Sequence, residues 1–271
     1  MTNGLINYWP IINAKRIDSS TGYVLEKALS NDYSGNSNIH PIQTMLTNDR
    51  FGKINSALCP NGFNLTISSG VYLSNESFTF SLWIKFKKFD SNAKIIDVFN
   101  LKNDSSKFLI DSIQIWQSEE GFPLIKIQQI NGESRITQAN TGFQLNTWQF
   151  FTVSLNQTHL KMYLNGKIIS EDNEQFILVN GWRKYAYIGL NSDSIFDDIR
   201  IYSRALEIGE ISTLMNTSDE MAHQNKALTL KKRSVHFSQD SNSFRVLIDL
   251  ILAAFFSILN RFFNFFSSLF L

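Results

Sequence analysis

Phe196-Asp197-Asp198-Ile199-Arg200-Ile201-Tyr202-Ser203-Arg204-Ala205-Leu206 is the stretch on which the fold reading turns. Read as a strand it alternates, so Asp197, Ile199 and Ile201 share one side, and Asp198, Arg200 and Tyr202 share the other. A carboxylate in line with two β-branched apolar residues is expected to face the core, where a bare charge is costly unless something compensates it. A bound cation is one such compensation, and a ring of backbone N–H donors is another. Ile208, Ile211 and Leu214 follow at helical spacing, which predicts a short closing helix after the strand.

Upstream, the same period of two recurs. Phe78, Phe80, Leu82, Ile84 and Phe86 alternate with Thr79, Ser81, Trp83 and Lys85, a strand with one buried face. Residues 94–99, 108–116, 124–130, 150–155 and 184–190 read as further strands. The run Leu160 to Ile169 is the clearest hairpin, because Asn165-Gly166 supplies the two positive-φ positions of a type I′ turn. Many short strands with frequent turn signals and one late helix predict an all-β fold, a two-sheet antiparallel sandwich.

These motifs also carry a family resemblance. The order runs from Leu5-Ile6-Asn7-Tyr8-Trp9-Pro10, through Asp32-Tyr33-Ser34-Gly35-Asn36-Ser37-Asn38 and Arg50-Phe51-Gly52 with Ala57-Leu58, to Phe78–Lys85. Trp148 with Phe150 to Val153, Tyr163-Leu164-Asn165-Gly166-Lys167 and the Asp197 strand complete it. Over about residues 4 to 215 the chain resembles a laminin-G-like jelly roll of the concanavalin-A-like, pentraxin-like class. The resemblance implies a lectin-like binding or adhesion module for a glycan or a protein. It also implies a structural calcium ion (Ca2+) between the early loop and the late strand, held by Asp32 and Asp197 with Asn36 and Asn38 as further donors. Calcium takes six to eight oxygens, so such a site needs few acidic side chains.

The chain has 271 residues, with 25 Lys and Arg against 24 Asp and Glu, and this balance argues against nucleic acid as a main partner. Cys59 is the single cysteine, so no internal disulfide forms. Met1-Thr2-Asn3-Gly4 leads into the opening strand without the basic start and apolar run of a signal peptide. Three regions are expected: a jelly-roll domain at 1–215, a polar linker at 216–243 with Lys231-Lys232-Arg233 inside it, and a hydrophobic helix at 244–271. The polar residues of the last region fall on one stripe, and residues 250–271 as a helix would span roughly 33 Å, the thickness of a bilayer core. The expectation is a membrane anchor, with an interfacial or partner-packed helix as the other placements, since Arg261 lies near its middle. The resemblance places the domain at the cell surface, whereas the basic cluster would hold it in the cytosol.

No catalytic constellation is found. The Glu-x-Asp-x-x-Glu strand of related glucanases is missing, and Glu171-Asp172-Asn173-Glu174 reads as a solvated turn. His40, His159, His223 and His236 have no metal-ligand spacing. Trp116 and Trp182, with Arg183 beside the latter, are the expected ligand-binding residues, because a sugar site needs an exposed aromatic with polar neighbours. Trp9, Trp83 and Trp148 suit core positions better. The functional expectation is a non-enzymatic binding module. The rivals are a glycoside-active enzyme and a purely structural domain of a larger extracellular protein.

Overall fold

The structure is a computed structural model. It describes residues 4–9, 16–19, 22–25, 39–41, 45–60, 65–67, 73, 77–101, 109–129, 132–176, 178 and 183–216. The chain divides into two units, residues 1–217 and 218–271, and every described residue lies in the first. Among the described residues no helix is long and apolar enough to cross a membrane, and residues 244–271 lie outside them.

In chain order the first strands are β1 (Leu5–Trp9), β2 (Arg16–Ser19), β3 (Gly22–Leu25), β4 (Ile39–Pro41), β5 (Met45–Thr47), β6 (Ala57–Cys59) and β7 (Leu65–Ile67). They are followed by β8 (Ser77–Lys85), β9 (Lys94–Leu101), β10 (Leu109–Gln117), β11 (Pro123–Gln128) and β12 (Ser134–Gln138). The last are β13 (Gln149–Asn156), β14 (His159–Leu164), β15 (Lys167–Asp172), β16 (Tyr185–Leu190) and β17 (Ile195–Tyr202), before helix α1 (Ile208–Asn216). One sheet runs β15-β14-β13-β8-β17-β6-β5, with β1 also on β17; the other runs β12-β11-β10-β9-β16-β7-β4. β2 and β3 form a separate hairpin. The expected two-sheet antiparallel sandwich with a helix after its last strand is therefore present. Asn165 and Gly166 turn β14 into β15 with φ of 50° and 75°, as the hairpin reading requires.

The core forms where the inner faces meet. Phe78, Phe80, Leu82 and Ile84 of β8, Val153 and Leu155 of β13, and Ile199 and Ile201 of β17 pack against Ile96, Val98, Ile113, Ile115, Ile125, Ile127, Ala186 and Ile188 of the other sheet. Each such aliphatic or aromatic side chain contributes about 1.5–3 kcal/mol on burial. A smaller cluster lies on the outer face of the first sheet, where Ile211 and Leu214 of α1 meet Phe150, Tyr163, Tyr202 and Leu206. Helix α1 is anchored at its start by Arg204, whose guanidinium donates to both oxygens of Glu210 at 2.8 and 2.5 Å. At one edge the two sheets are clipped together: Arg135 of β12 makes a forked pair with Asp172 of β15 at 2.8 and 2.9 Å.

The alternation expected along β17 breaks in its first half. Asp197 opposes Trp83 and Arg200 opposes Ser81, so three steps on β17 match two on β8, a β-bulge, with Asp198 at φ 53°. Phe196 enters the core, and strict alternation would send Asp198 in after it. The extra residue resets the count so that Ile199 and Ile201 enter instead. Asp197, opposite Trp83, thus shares the outer face of the sheet with that indole rather than the inner face with Ile199, which corrects the facing expected from the sequence.

Candidate binding face

The bulge gathers a buried four-charge cluster. Arg50 Nη1 donates to Asp197 Oδ2 at 2.5 Å and Arg50 Nη2 to Asp198 Oδ2 at 2.8 Å. Tyr8 Oη donates to Asp198 Oδ1 at 2.9 Å, and Arg200 Nη2 lies 3.3 Å from the same oxygen. The Arg50 guanidinium stacks over the rings of Phe51 and Trp83, and that of Arg200 over Tyr8. Burial alone would lower Arg200, yet the neighbouring Asp198 carboxylate, with Tyr8, Tyr202 and Asp197, holds it above the ordinary guanidinium range. The compensation for Asp197 includes a guanidinium, a third solution beside the two weighed from sequence. Two carboxylates and two guanidinium groups leave the cluster neutral. It holds the loop before β6 against β17.

Asp32, Asn36, Asn38 and Trp182 lie outside the described residues. Among the described residues no group of three or more His, Cys, Asp and Glu gathers as a metal site would. A calcium ion on Asp197 would have to share that carboxylate with Arg50, so the described donors do not by themselves make such a site. Arg183, expected at a ligand surface, is buried. Its guanidinium pairs with Asp111 and reaches the Leu73 carbonyl at 3.4 Å. Burial pushes it down to about 10, still protonated at neutral pH.

Trp116 lies half-buried on the outer face of the second sheet, and there the register builds something the sequence reading missed. Thr66, Tyr187, Asp97, Gln114, Lys126 and Ile136 oppose one another in turn across β7, β16, β9, β10, β11 and β12. Directly opposed residues share a face, so the six make one ladder across the sheet. From Tyr187 to Lys126 it spans about 14 Å at the usual strand spacing. Phe99 and Tyr185 stack beside it with centroids 5.0 Å apart, and Tyr187 lies 6.1 Å from Phe99. On the other flank the Lys94 ammonium sits 4.6 Å from the Trp116 ring centroid. The one described helix, α1, lies on the outer face of the first sheet and not on this one. The available signal was the second alternation in Ile96-Asp97-Val98-Phe99, Ile113-Gln114-Ile115-Trp116 and Tyr185-Ala186-Tyr187-Ile188, in which polar and aromatic residues occupy the non-core face.

Asp97 is the electrostatic centre of the ladder. Gln114 Nε2 donates to both its oxygens, at 3.2 and 3.1 Å. Burial pushes the carboxyl above the usual carboxylate range, against the opposing pull of Gln114 and the Lys94 charge. Burial also lowers Lys94, with Asp97 and Asp90 pulling it back. A carboxyl raised in the folded state stabilises most below its ordinary 3.8, and that contribution is lost as pH rises through the raised value. Asp97→Asn, which keeps an acceptor for Gln114, is therefore expected to raise the melting temperature at pH 7 and to flatten its pH dependence. Thermal melts of both proteins from about pH 4 to about pH 7 check this, and identical curves would refute it.

The family model described as the concanavalin A-like lectin/glucanases superfamily matches residues 61–212. Among solved structures, domain 4 of AbnA, a GH43 extracellular arabinanase from Geobacillus stearothermophilus, in complex with arabinotriose, is similar at a TM-score of 0.56 and 18% identity. The likeness covers 78% of this chain and 98% of that one. A structure of botulinum neurotoxin type C, whose cell entry is described as dependent on two ganglioside molecules, matches at 0.53 and 20% identity, covering 79% and 51%. The binding domain of botulinum neurotoxin DC in complex with SialylT matches at 0.53 and 20%, covering 80% and 51%. The chain spans about half the length of these toxin domains. No curated protein matches by sequence.

Proposed function

The chain belongs to the concanavalin A-like lectin/glucanases superfamily, and from that premise we propose that it is a non-enzymatic carbohydrate-binding module whose ligand lies along the Tyr187–Lys126 ladder. The observation that carries the reading is the outer face of the second sheet, where half-buried Phe99, Trp116, Tyr185 and Tyr187 flank Asp97 and Gln114. Aromatic faces take the apolar faces of sugar rings, and the Gln114 carbonyl beside buried Asp97 accepts from a hydroxyl. Similar folds crystallised with arabinotriose or a sialylated ligand support the choice of ligand class. Catalysis would need a second carboxylate across the scissile bond. Among the described strand residues on this face, Asp97 is the single acid. We therefore expect no release of reducing sugar from polysaccharides.

An oligosaccharide array including arabinotriose and sialyllactose tests the reading, followed by calorimetry on the best binder. Tyr187→Ala is expected to weaken that binder about tenfold or more, the loss of one contact of about 1.4 kcal/mol, with an unchanged fold by circular dichroism. An empty array would leave the structural-domain alternative.

Two further parts of the reading rest on sequence. The apolar remainder of residues 244–271 supports membrane attachment, and the family resemblance, against the basic cluster Lys231-Lys232-Arg233, supports the cell-surface side. Carbonate extraction with protease protection decides both. A calcium brace through Asp197, Asp32, Asn36 and Asn38 rests on the family resemblance. It would appear as a thermal shift at millimolar calcium that Asp32→Asn removes; a flat titration leaves the carboxylate to Arg50.

A further inference from the structure

Resting on the carbohydrate reading, we infer that the ladder selects saccharides bearing a carboxylate, of the uronic or sialic acid class, and seats that group at its Lys126 end. The ladder is polarised. At one end Tyr187, Tyr185 and Phe99 form an aromatic patch without formal charge. At the other, Lys126 stands directly opposite Gln114; Lys94 belongs to β9, the strand of Asp97 and Phe99, and lies over Trp116 on the ladder's flank. Between the ends, the one carboxylate among the described strand residues of the face, Asp97, is engaged on both oxygens by the Gln114 amide. That bond turns the NH2 of Gln114 inward to Asp97 and leaves its carbonyl as the group that can accept from a sugar hydroxyl.

The consequence is a division of labour along the ladder. A neutral ring stacks on the tyrosine end and is read by shape. A ring carrying a carboxylate meets the Lys126 ammonium two strand spacings, about 10 Å, from Asp97, a distance at which like-charge repulsion is largely screened. Lysine, a compact and hydrated charge on a flexible stem, suits a carboxylate presented at variable depth. Neutral isomers of the same length gain nothing at that end.

The test uses the full chain and two matched pairs of probes. Trigalacturonate is compared with galactotriose, its carboxyl-reduced counterpart, and sialyllactose with its methyl ester, at low and at physiological salt. The expected result is binding of one acidic probe about tenfold or more tighter than its neutral partner, a ratio that shrinks with salt. The pair that shows the preference separates uronic from sialic recognition. Lys126→Gln is expected to bring the ratio close to one, with an unchanged melting curve. Equal affinity for acidic and neutral members overturns the charge selection while leaving the carbohydrate reading intact. Absence of binding to every probe and to the wider array overturns both. A preference that survives Lys126→Gln overturns the assignment of the site.

Discussion

Arg50→Leu is expected to lower the stability of the jelly roll by about 3–5 kcal/mol, among the largest losses available from one substitution in this fold. The reason is the fork described above: one guanidinium serves Asp197 and Asp198 together, and both carboxylates are buried. Removing it leaves two negative charges at adjacent positions of a bulge, with Arg200 as a remaining counter-charge 3.3 Å from Asp198. The leucine also forfeits the stacking on Phe51 and Trp83. Urea unfolding reads the effect as a lower midpoint with an unchanged slope. Arg50→Lys keeps the charge but not the fork, since an ammonium is a point donor that cannot hold two carboxylates in one plane, so it should fall between the two. A midpoint for Arg50→Leu within experimental scatter of the parent would show that the cluster carries no net stabilisation.

The second large effect concerns Arg183. Arg183→Leu is expected to cost about 3–5 kcal/mol, because Asp111 would be left charged and buried without its partner. Asp111→Leu should cost a similar amount by stranding the guanidinium. The double variant Asp111→Leu/Arg183→Leu should cost less than either single change, since an ion pair in a dry interior is often no better than apolar side chains of similar volume. Each replaced residue lies beside core aliphatics, Ile113 on one strand and Ala186 near the other. The double-mutant cycle gives the coupling directly. Additive losses in the double variant would refute the pairing as the source of the effect.

These two residues mark where sequence reading succeeds and where it stops. The β8 strand and the β14–β15 hairpin were legible because their signals are local: a period of two in one case, an Asn-Gly turn in the other. The bulge at Asp198 was not, because its positive φ is stabilised by Arg50 from 148 residues upstream. Nothing within β17 says where the alternation resets. Arg183 was read with its neighbour Trp182, whereas its partner Asp111 is distant in the chain and becomes adjacent through the β9–β10–β16 neighbourhood. The ladder was illegible for the same reason. Each strand shows a polar or aromatic residue every second position, but only pairing register puts Tyr187, Asp97, Gln114 and Lys126 in line. Trp116 was visible as a single large side chain, without the neighbours that give it a setting.

β1 lies along β17, with Leu5 opposite Tyr202 and the Ser203 amide bonded to the Gly4 carbonyl at 2.8 Å. The first and last strands of the sandwich are thus stitched together within one layer, the layer on which helix α1 rests. The Asp97 ladder belongs to the opposite layer. A scaffold grafted at either extremity of the sandwich would be joined to the layer opposite the one that carries the ladder. A fluorescent label at position 4 should therefore stay far from an occupant of the ladder, and splicing the module into a surface loop of a carrier protein should leave sugar capture intact.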